Sequence, residues 1–388
     1  MTIFGFVISL SFIIGFAGLF FLKIYGGLRY LGAFLLSISL GLPALFVFPT
    51  MASDLSRYFN MMDEIKGINS VNELMNAFSQ IPSLQYQQSS KLFNLVEWVI
   101  SKTGYFTMLP ALIIIIVYFM AWIPVIHQAN IYNKSYYYVI ISILLITFFI
   151  PYSYVSSMLR WYLGVSLTFL ITYLLFISRK KKAVSLLYIF PLFVHMGMIL
   201  PIVIIIINFF IVNKRNRAFF LSVEAILIVI FFRTINYWDS NFMTNLTEPN
   251  PLSMAAGYSQ NFMQFNSNGI LSLIVKIVIA LLYSFGAFLI INRNGHTDKL
   301  MNKMATIYYG FDIVALVLLP QILLLDRYII FVGLFSLLIF IYSQQRRYFI
   351  PLATNILYCF ASVIAIVQFF VLIKGVQFVP YIQSYGNF

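Results

Sequence analysis

Cysteine is nearly missing from this 388-residue chain; the single one, Cys359, lies inside an apolar run. One cysteine excludes an intrachain disulfide and any cysteine-rich metal site. Charge is scarce as well. Asp, Glu, Lys and Arg together make up 9% of the residues and only 11 are acidic, too little polar surface to cover a soluble domain of this length. The chain has no Gly-rich phosphate loop, and His, Cys and acidic residues do not cluster with metal-ligand spacing. Neither a nucleotide nor a metal is therefore implied, and no cofactor is expected. No internal repeat is found. The first apolar run, 2–22, lacks a basic leading region and a small-residue cleavage site, so it reads as a retained span and not as a signal peptide.

What remains is hydrophobic: 62% of the residues are apolar, which defines a multi-spanning membrane protein. Runs long enough to cross a hydrocarbon core of about 30 Å fall near 2–22, 28–48, 106–126, 136–152, 158–177, 218–232, 269–291, 304–323, 328–342 and 351–373. The expected fold is an all-α polytopic membrane helix bundle of about 11–12 spans, a single transmembrane domain over 1–388 with long loops at 49–105 and 233–268. Basic loops orient such spans. Lys23 with Arg29, Lys134, Arg179 to Lys182, Lys214 to Arg217, Arg293 to Lys303, and Arg346 with Arg347 are expected on the cytoplasmic side, which leaves both termini and both long loops outside. The net charge of +13 fits this topology rule; it also suits an anionic lipid substrate whose phosphates meet arginines on the other face. Nucleic acid is not suggested, since the basic residues are scattered among spans.

Parity singles out one stretch. The blocks 179–182 and 213–217 both read as cytoplasmic, so the run 183–212 must cross an even number of times. It is too short for two full spans and carries Pro191 and Pro201, which interrupt helices. A broken hairpin at membrane depth is expected, turning around His195, Gly197 and Pro201, with His195 facing a polar cavity open to the outside. In the first long loop, Ser70 and Glu73 form a capping-box pattern. A second segment carries Leu92, Phe93, Val96, Val99 and Ile100 at helical spacing and is expected to lie amphipathically over the mouth of the bundle. The second loop is rich in Asn, Ser, Met and aromatic residues, a composition that suits either sugar binding or an unstructured surface loop; its Asn245 and Thr247 match a glycosylation sequon.

Ionisable groups within or beside the spans are few enough to weigh singly, since each is costly in hydrocarbon. Asp54 and Arg57, three apart, either pair with each other or serve a sugar hydroxyl and a phosphate. Arg160 opens its span beside Tyr152, Tyr154, Trp161 and Tyr162, with Gly164 one turn on expected to clear space for the guanidinium. It is either an interface anchor or an anion clamp. His195 could accept a proton near neutral pH. Asp326 and Arg327 open a late span, either as a local surface pair or with Arg327 as a second phosphate clamp. Asp312 lies in the span before them.

The order Asp54-x-x-Arg57-Tyr58, then Arg160-x-x-x-Gly164, then a basic turn and a hydrophobic segment with His195, then Asp326-Arg327-Tyr328 resembles the EpsG-like branch of the Wzy-type bacterial polysaccharide polymerases over about residues 50–345. The resemblance implies a multi-pass enzyme of the bacterial cytoplasmic membrane, a metal-independent glycosyltransferase of the GT-C kind. Such enzymes join undecaprenyl-pyrophosphate-linked oligosaccharide repeat units at the outer face into a capsule, exopolysaccharide or O-antigen, alone or with a chain-length regulator. It implies catalytic roles for Arg160 and His195, the arginine neutralising the pyrophosphate leaving group and the histidine acting as base or as diphosphate ligand. It implies substrate-binding roles for Asp54, Arg57, Tyr58, Asp326 and Arg327. Two other readings use the same residues. A transporter of lipid-linked sugars would ordinarily show two related halves, and none is found; a membrane O-acyltransferase would need a cytosolic acyl donor to reach a histidine expected to face outward.

Overall fold

The computed structural model describes residues 3–49, 54–80, 90–177, 181–211, 221–223, 226, 267–294, 299–318, 322–346, 350–374, 376 and 378. These residues build an all-α membrane helix bundle without a named strand. Seven helices are long and apolar enough to span: Ile3–Leu22, Gly27–Phe46, Met108–Ile131, Leu159–Ile177, Leu273–Asn294, Leu325–Gln344 and Leu352–Ile373. Tyr136–Phe149, Ala183–Val194 and Met196–Phe209 are shorter apolar helices. The expected count of about 11–12 spans thus corresponds, among the described residues, to seven full-length helices plus these three and the more polar Lys299–Val317. The expected span at 218–232 lies largely outside the described residues, as does the loop 233–268 with its sequon.

The chain divides into two compact units, Met1–Tyr173 with Leu186–Met198 and Phe369–Phe388, and Leu174–Ser185 with Ile199–Gln368. The first begins with an antiparallel pair, α1 (Ile3–Leu22) and α2 (Gly27–Gly41, running on as a 3-10 turn to Phe46). Their backbones touch at Gly18 and Gly32: a Cβ on Gly18 would stand 2.8 Å from the Gly32 carbonyl, and one on Gly32 2.7 Å from that of Gly18. Small residues let helices approach where lipid offers no hydrophobic drive to associate. The opposite face of α1 bears Phe12, Phe16 and Phe20, all exposed, as a lipid-facing surface requires.

Among its described residues the first long loop holds three helices: α3 (Asp54–Ile65), α4 (Val71–Gln80) and α5 (Lys91–Ser101). Asp54 opens α3 instead of closing the second span. The capping box forms at α4, where the Glu73 amide donates to Ser70 Oγ at 3.2 Å and the Glu73 carboxylate accepts from the Asn69 amide at 3.1 Å, one residue before the expected partner. Met61, Ile65, Leu74, Ala77 and Phe78 close a small core with Leu95 and Trp98. The spans resume with α6 (Met108–Ile131) and α7 (Tyr136–Phe149). Pro151, which disfavours helix at the residue before it, separates α7 from the short α8 (Tyr152–Ser157), and α9 (Leu159–Ile177) follows.

The two ends of this unit differ in chemistry. At one end the buried Arg29 guanidinium donates to the Lys134 carbonyl at 2.8 Å and to Asn130 at 3.3 Å and lies 4.1 Å from the centre of the Tyr25 ring, so the basic loops 23–29 and 130–134 meet. His127 and Tyr173 pair near this end at 2.7 Å. Arg160 is thirteen residues before Tyr173 on the same helix, about 20 Å away at 1.5 Å per residue. The Arg160 end therefore lies opposite the basic loops.

The run expected to form a broken hairpin consists of α10 (Lys181–Ser185), a 3-10 turn, α11 (Ile189–Val194), a break at His195, a second 3-10 turn, and α12 (Ile199–Ile206) ending in a π turn. His195 has extended backbone, φ −154° and ψ 116°. Pro191 and Pro201 do not make the break. Each is the third residue of its helix, where the missing N–H costs no intrahelical bond.

In the second unit α13 (Ser267–Asn294) and α14 (Lys299–Val317) pack on α15 (Ile322–Arg346), and α16 (Leu352–Ile373) completes it. α15 is the central helix, buried over most of its length, with Phe311 of α14 stacked on Phe331 and Phe335. The opposed ends of the first unit make a topological prediction. In a Cys359→Ser background, Lys23→Cys and Arg57→Cys, both exposed positions, will react with an impermeant maleimide from opposite sides of sealed vesicles; labelling from one side only would contradict the orientation.

Candidate functional site

The first turn of α9 carries Arg160 and Trp161, consecutive residues that point about 100° apart around the helix and hold different partners. Arg160 is half-buried. Its Nε donates to Tyr58 Oη at 3.2 Å and its Nη1 to Ser90 Oγ at 3.3 Å, while the guanidinium lies 5.3 Å from the Tyr58 ring centre and 5.9 Å from that of Phe93. These bonds occupy two of five N–H donors. Ser90 occupies the N-cap position of α5, yet its hydroxyl makes no capping bond; it is turned to Arg160 instead. The stacked rings and fixed donors hold the guanidinium in place, a necessary condition for directed anion binding.

Under this arginine sits Glu97, fully buried, with neither carboxyl oxygen hydrogen-bonded among the described residues. Burial pushes its pKa up to about 8, against the opposing pull of Arg160, so the carboxyl is chiefly neutral at pH 7. Tyr58, buried beside it, is raised by burial as well, with Arg160 acting in the opposite sense. Asp54 reaches this group electrostatically, acting on both Tyr58 and Arg160.

Of the motif at 54–58, Tyr58 is the residue joined to Arg160. Asp54 and the largely exposed Arg57 form an i,i+3 ion pair. The rings against Arg160 are Tyr58 and Phe93, not the neighbouring tyrosines of its own chain segment. Gly164 makes room for Met198, whose Cγ would stand 2.9 Å from an added Cβ, and not for the guanidinium.

Trp161 holds His195, the two rings meeting edge to face with centroids 5.3 Å apart. The Gly197 amide donates to His195 Nδ1 at 2.9 Å. That bond assigns the neutral ring its proton on Nε2, so Nε2 is a donor. Of the two roles open to His195, proton acceptor through Nε2 or anion ligand, this tautomer fits the second. A Cβ on Gly197 would come within 2.8 Å of the imidazole, so glycine is required for the ring to fold back on its own backbone.

Asp326, Arg327 and Tyr328 belong to the second unit. Asp326 does not pair with its neighbour: the buried Lys276 of α13 donates to its carboxylate at 2.7 Å and to its carbonyl at 2.6 Å. Arg327 is half-buried and Tyr328 buried. Ser284 Oγ, with one proton to donate, lies 2.9 and 3.0 Å from the two carboxylate oxygens of Asp312. Among the described residues no group of three or more metal-ligating side chains occurs.

Glu97, Ser90 and Lys276 were missed by sequence reasoning. Glu97 is four residues after Phe93 and three before Ile100, on the face that is buried; of the expected apolar face Phe93 and Ile100 are buried, while Leu92 and Val99 are exposed. No protein-family model matches the chain, and comparisons with curated proteins and with solved structures give no match.

Two measurements check the site. Because the folded-state pKa of Glu97 lies above its ordinary 4.5, the folded protein holds a proton that the unfolded chain releases; thermal stability will fall as pH rises from about 4.5 to about 8 and level off beyond. Glu97→Gln will flatten that segment and exceed wild type at the alkaline end; an unchanged slope would refute the assignment. In protein carrying ¹⁵N-histidine, the neutral His195 ring will show an unprotonated Nδ1 and a protonated Nε2, and Gly197→Ala will abolish that pattern.

Proposed function

We propose that the chain is a membrane glycosyltransferase that polymerises undecaprenyl-pyrophosphate-linked oligosaccharide repeat units into a surface polysaccharide at the outer face of the bacterial cytoplasmic membrane. The observation that carries this reading is Arg160: a half-buried guanidinium, clamped by Tyr58 and Ser90, with donors to spare, at the end of the bundle opposite the basic loops that the positive-inside rule assigns to the cytoplasm. A pyrophosphate anchored by its lipid in the outer leaflet meets that end of the protein.

In this reaction the bond from the growing chain's anomeric carbon to its lipid pyrophosphate breaks as a bond to a sugar hydroxyl oxygen of the incoming unit forms, and the hydroxyl proton is lost to the departing diphosphate. Negative charge develops on the departing diphosphate, and a fixed guanidinium in a water-poor site stabilises it with little reorganisation. His195, packed against Trp161 of the first turn of α9, is the diphosphate ligand that the sequence resemblance offers as one of its two roles. Asp54 orients a sugar in this reading; the phosphate-binding role that the sequence resemblance suggests for Arg327 belongs to the second unit taken by itself.

Purified protein given lipid-pyrophosphate-linked repeat units will make a ladder of product lengths on a gel. Arg160→Ala will reduce its rate by about 10²–10³-fold, the range for losing one fixed charge-stabilising donor, and His195→Ala will also reduce it with the fold intact. A wild type that makes no ladder from competent substrate but moves lipid-linked sugar across a vesicle membrane would overturn the polymerase reading in favour of a transport path.

A further inference from the structure

Glu97 is an unusual neighbour for an anion site. Its carboxyl group is completely buried, its oxygens lack hydrogen-bond partners among the described residues, and the cation acting on it is Arg160. Structural carboxylates inside proteins are hydrogen-bonded or ion-paired at close range, because an unsatisfied buried charge is costly. Ser90, at the N-cap position of α5, makes no capping bond and accepts from Arg160, as does Tyr58. Arg160 donates to these two hydroxyls and not to the Glu97 carboxyl buried beside it.

We propose that Glu97 is the positioning residue that sets the charge of the Arg160 site, so that binding of a phosphate-diester anion there is coupled to retention of one proton on the Glu97 carboxyl. With the carboxyl neutral, Arg160 presents its whole positive charge to the ligand. With it ionised, Glu97 cancels that charge and repels the incoming anion. By linkage, the bound anion holds the proton on Glu97 more tightly. The inference rests on reading Arg160 as a phosphate-binding group; the carboxyl itself does not touch the ligand.

The surroundings of Glu97 leave it the group of interest near neutral pH. α3, α4, α6 and α11 pack on α5; the ionisable group of α4, Glu73, accepts from the Asn69 amide. From α3 come Tyr58, coupled to Glu97, then Asp54 and Arg57, which pair with each other, Asp63, paired with Lys66, and the exposed Glu64. α11 has no ionisable side chain and ends at His195, and the first two turns of α6 have none. Lys91 and Lys102 flank α5 itself, Lys102 donating to the Lys66 carbonyl at 2.7 Å. Burial lifts the Glu97 carboxyl to about 8, which places its titration where Arg160 stays charged.

The full-length protein in phosphatidylcholine nanodiscs tests this with a polyprenyl diphosphate glycoside, a diphosphate diester that does not itself titrate near neutrality. Its affinity will fall as pH rises through about 8, approaching tenfold per pH unit, the limit for one linked proton. Glu97→Gln will bind equally well at both ends of that range. Calorimetry of wild type in buffers of different ionisation enthalpy will show proton uptake on binding near that pH, a readout that does not depend on a variant folding. A second arm replaces the glycoside with phosphatidylglycerol in the disc. The same pH-linked binding to phosphatidylglycerol alone would keep the Glu97 coupling while removing the polymerase reading. Glycoside binding that is independent of pH, or equally pH-dependent in Glu97→Gln, would overturn the coupling and leave the polymerase reading standing. Binding of neither ligand overturns the proposal.

Discussion

The first unit depends on one constraint: a guanidinium must be kept in place at the head of a membrane-spanning helix. Arg160 cannot be left in an apolar wall, so the surrounding elements supply what it needs. α3 brings a phenol and an aromatic face, α5 brings a hydroxyl, a second ring and a buried acid, and α8 gives way to α9 so that the arginine begins a helix. The short helices of the first long loop are packed wall, not surface decoration. Removing the arginine would leave Ser90 without its bond and Tyr58 without its cation, while Glu97 would lose the charge that, among the described residues, favours its ionised form.

The same logic shows in the mixed buried face of α5. Phe93 and Ile100 are buried there together with Asn94 and Glu97, while Leu92 and Val99 are exposed. Polar side chains are costly where they face hydrocarbon, so they turn inward. Lys276 and Asp326 obey the rule in the second unit, pairing across two helices where a lone lysine would be costly.

His195 illustrates a different economy. The chain needs a break between two short helices, and it uses the break to orient a ring. Extended backbone at His195 and a glycine two residues on let the amide of Gly197 reach Nδ1, with Trp161 closing the other side. The tautomer follows from these contacts.

Much of this was legible in the order of residues. Hydropathy alone determined that the chain is a polytopic helix bundle, because no other arrangement satisfies backbone polar groups in lipid. It also determined where most spans run, and the basic blocks marked 183–212 as irregular. Asp54 with Arg57, and the capping box at Ser70, were visible because their partners are three residues apart. What sequence could not supply is contact across distance. Tyr58 and Ser90 reach Arg160 from 102 and 70 positions away, and Lys276 meets Asp326 across 50. Hydropathy also cannot say which face of an apolar helix meets lipid and which meets protein, since both are lined by the same residue types. Only the tertiary structure decided that Glu97 lies inside, that Asp326 ignores Arg327, and that the arginine and the histidine are held on adjacent positions of a single helical turn.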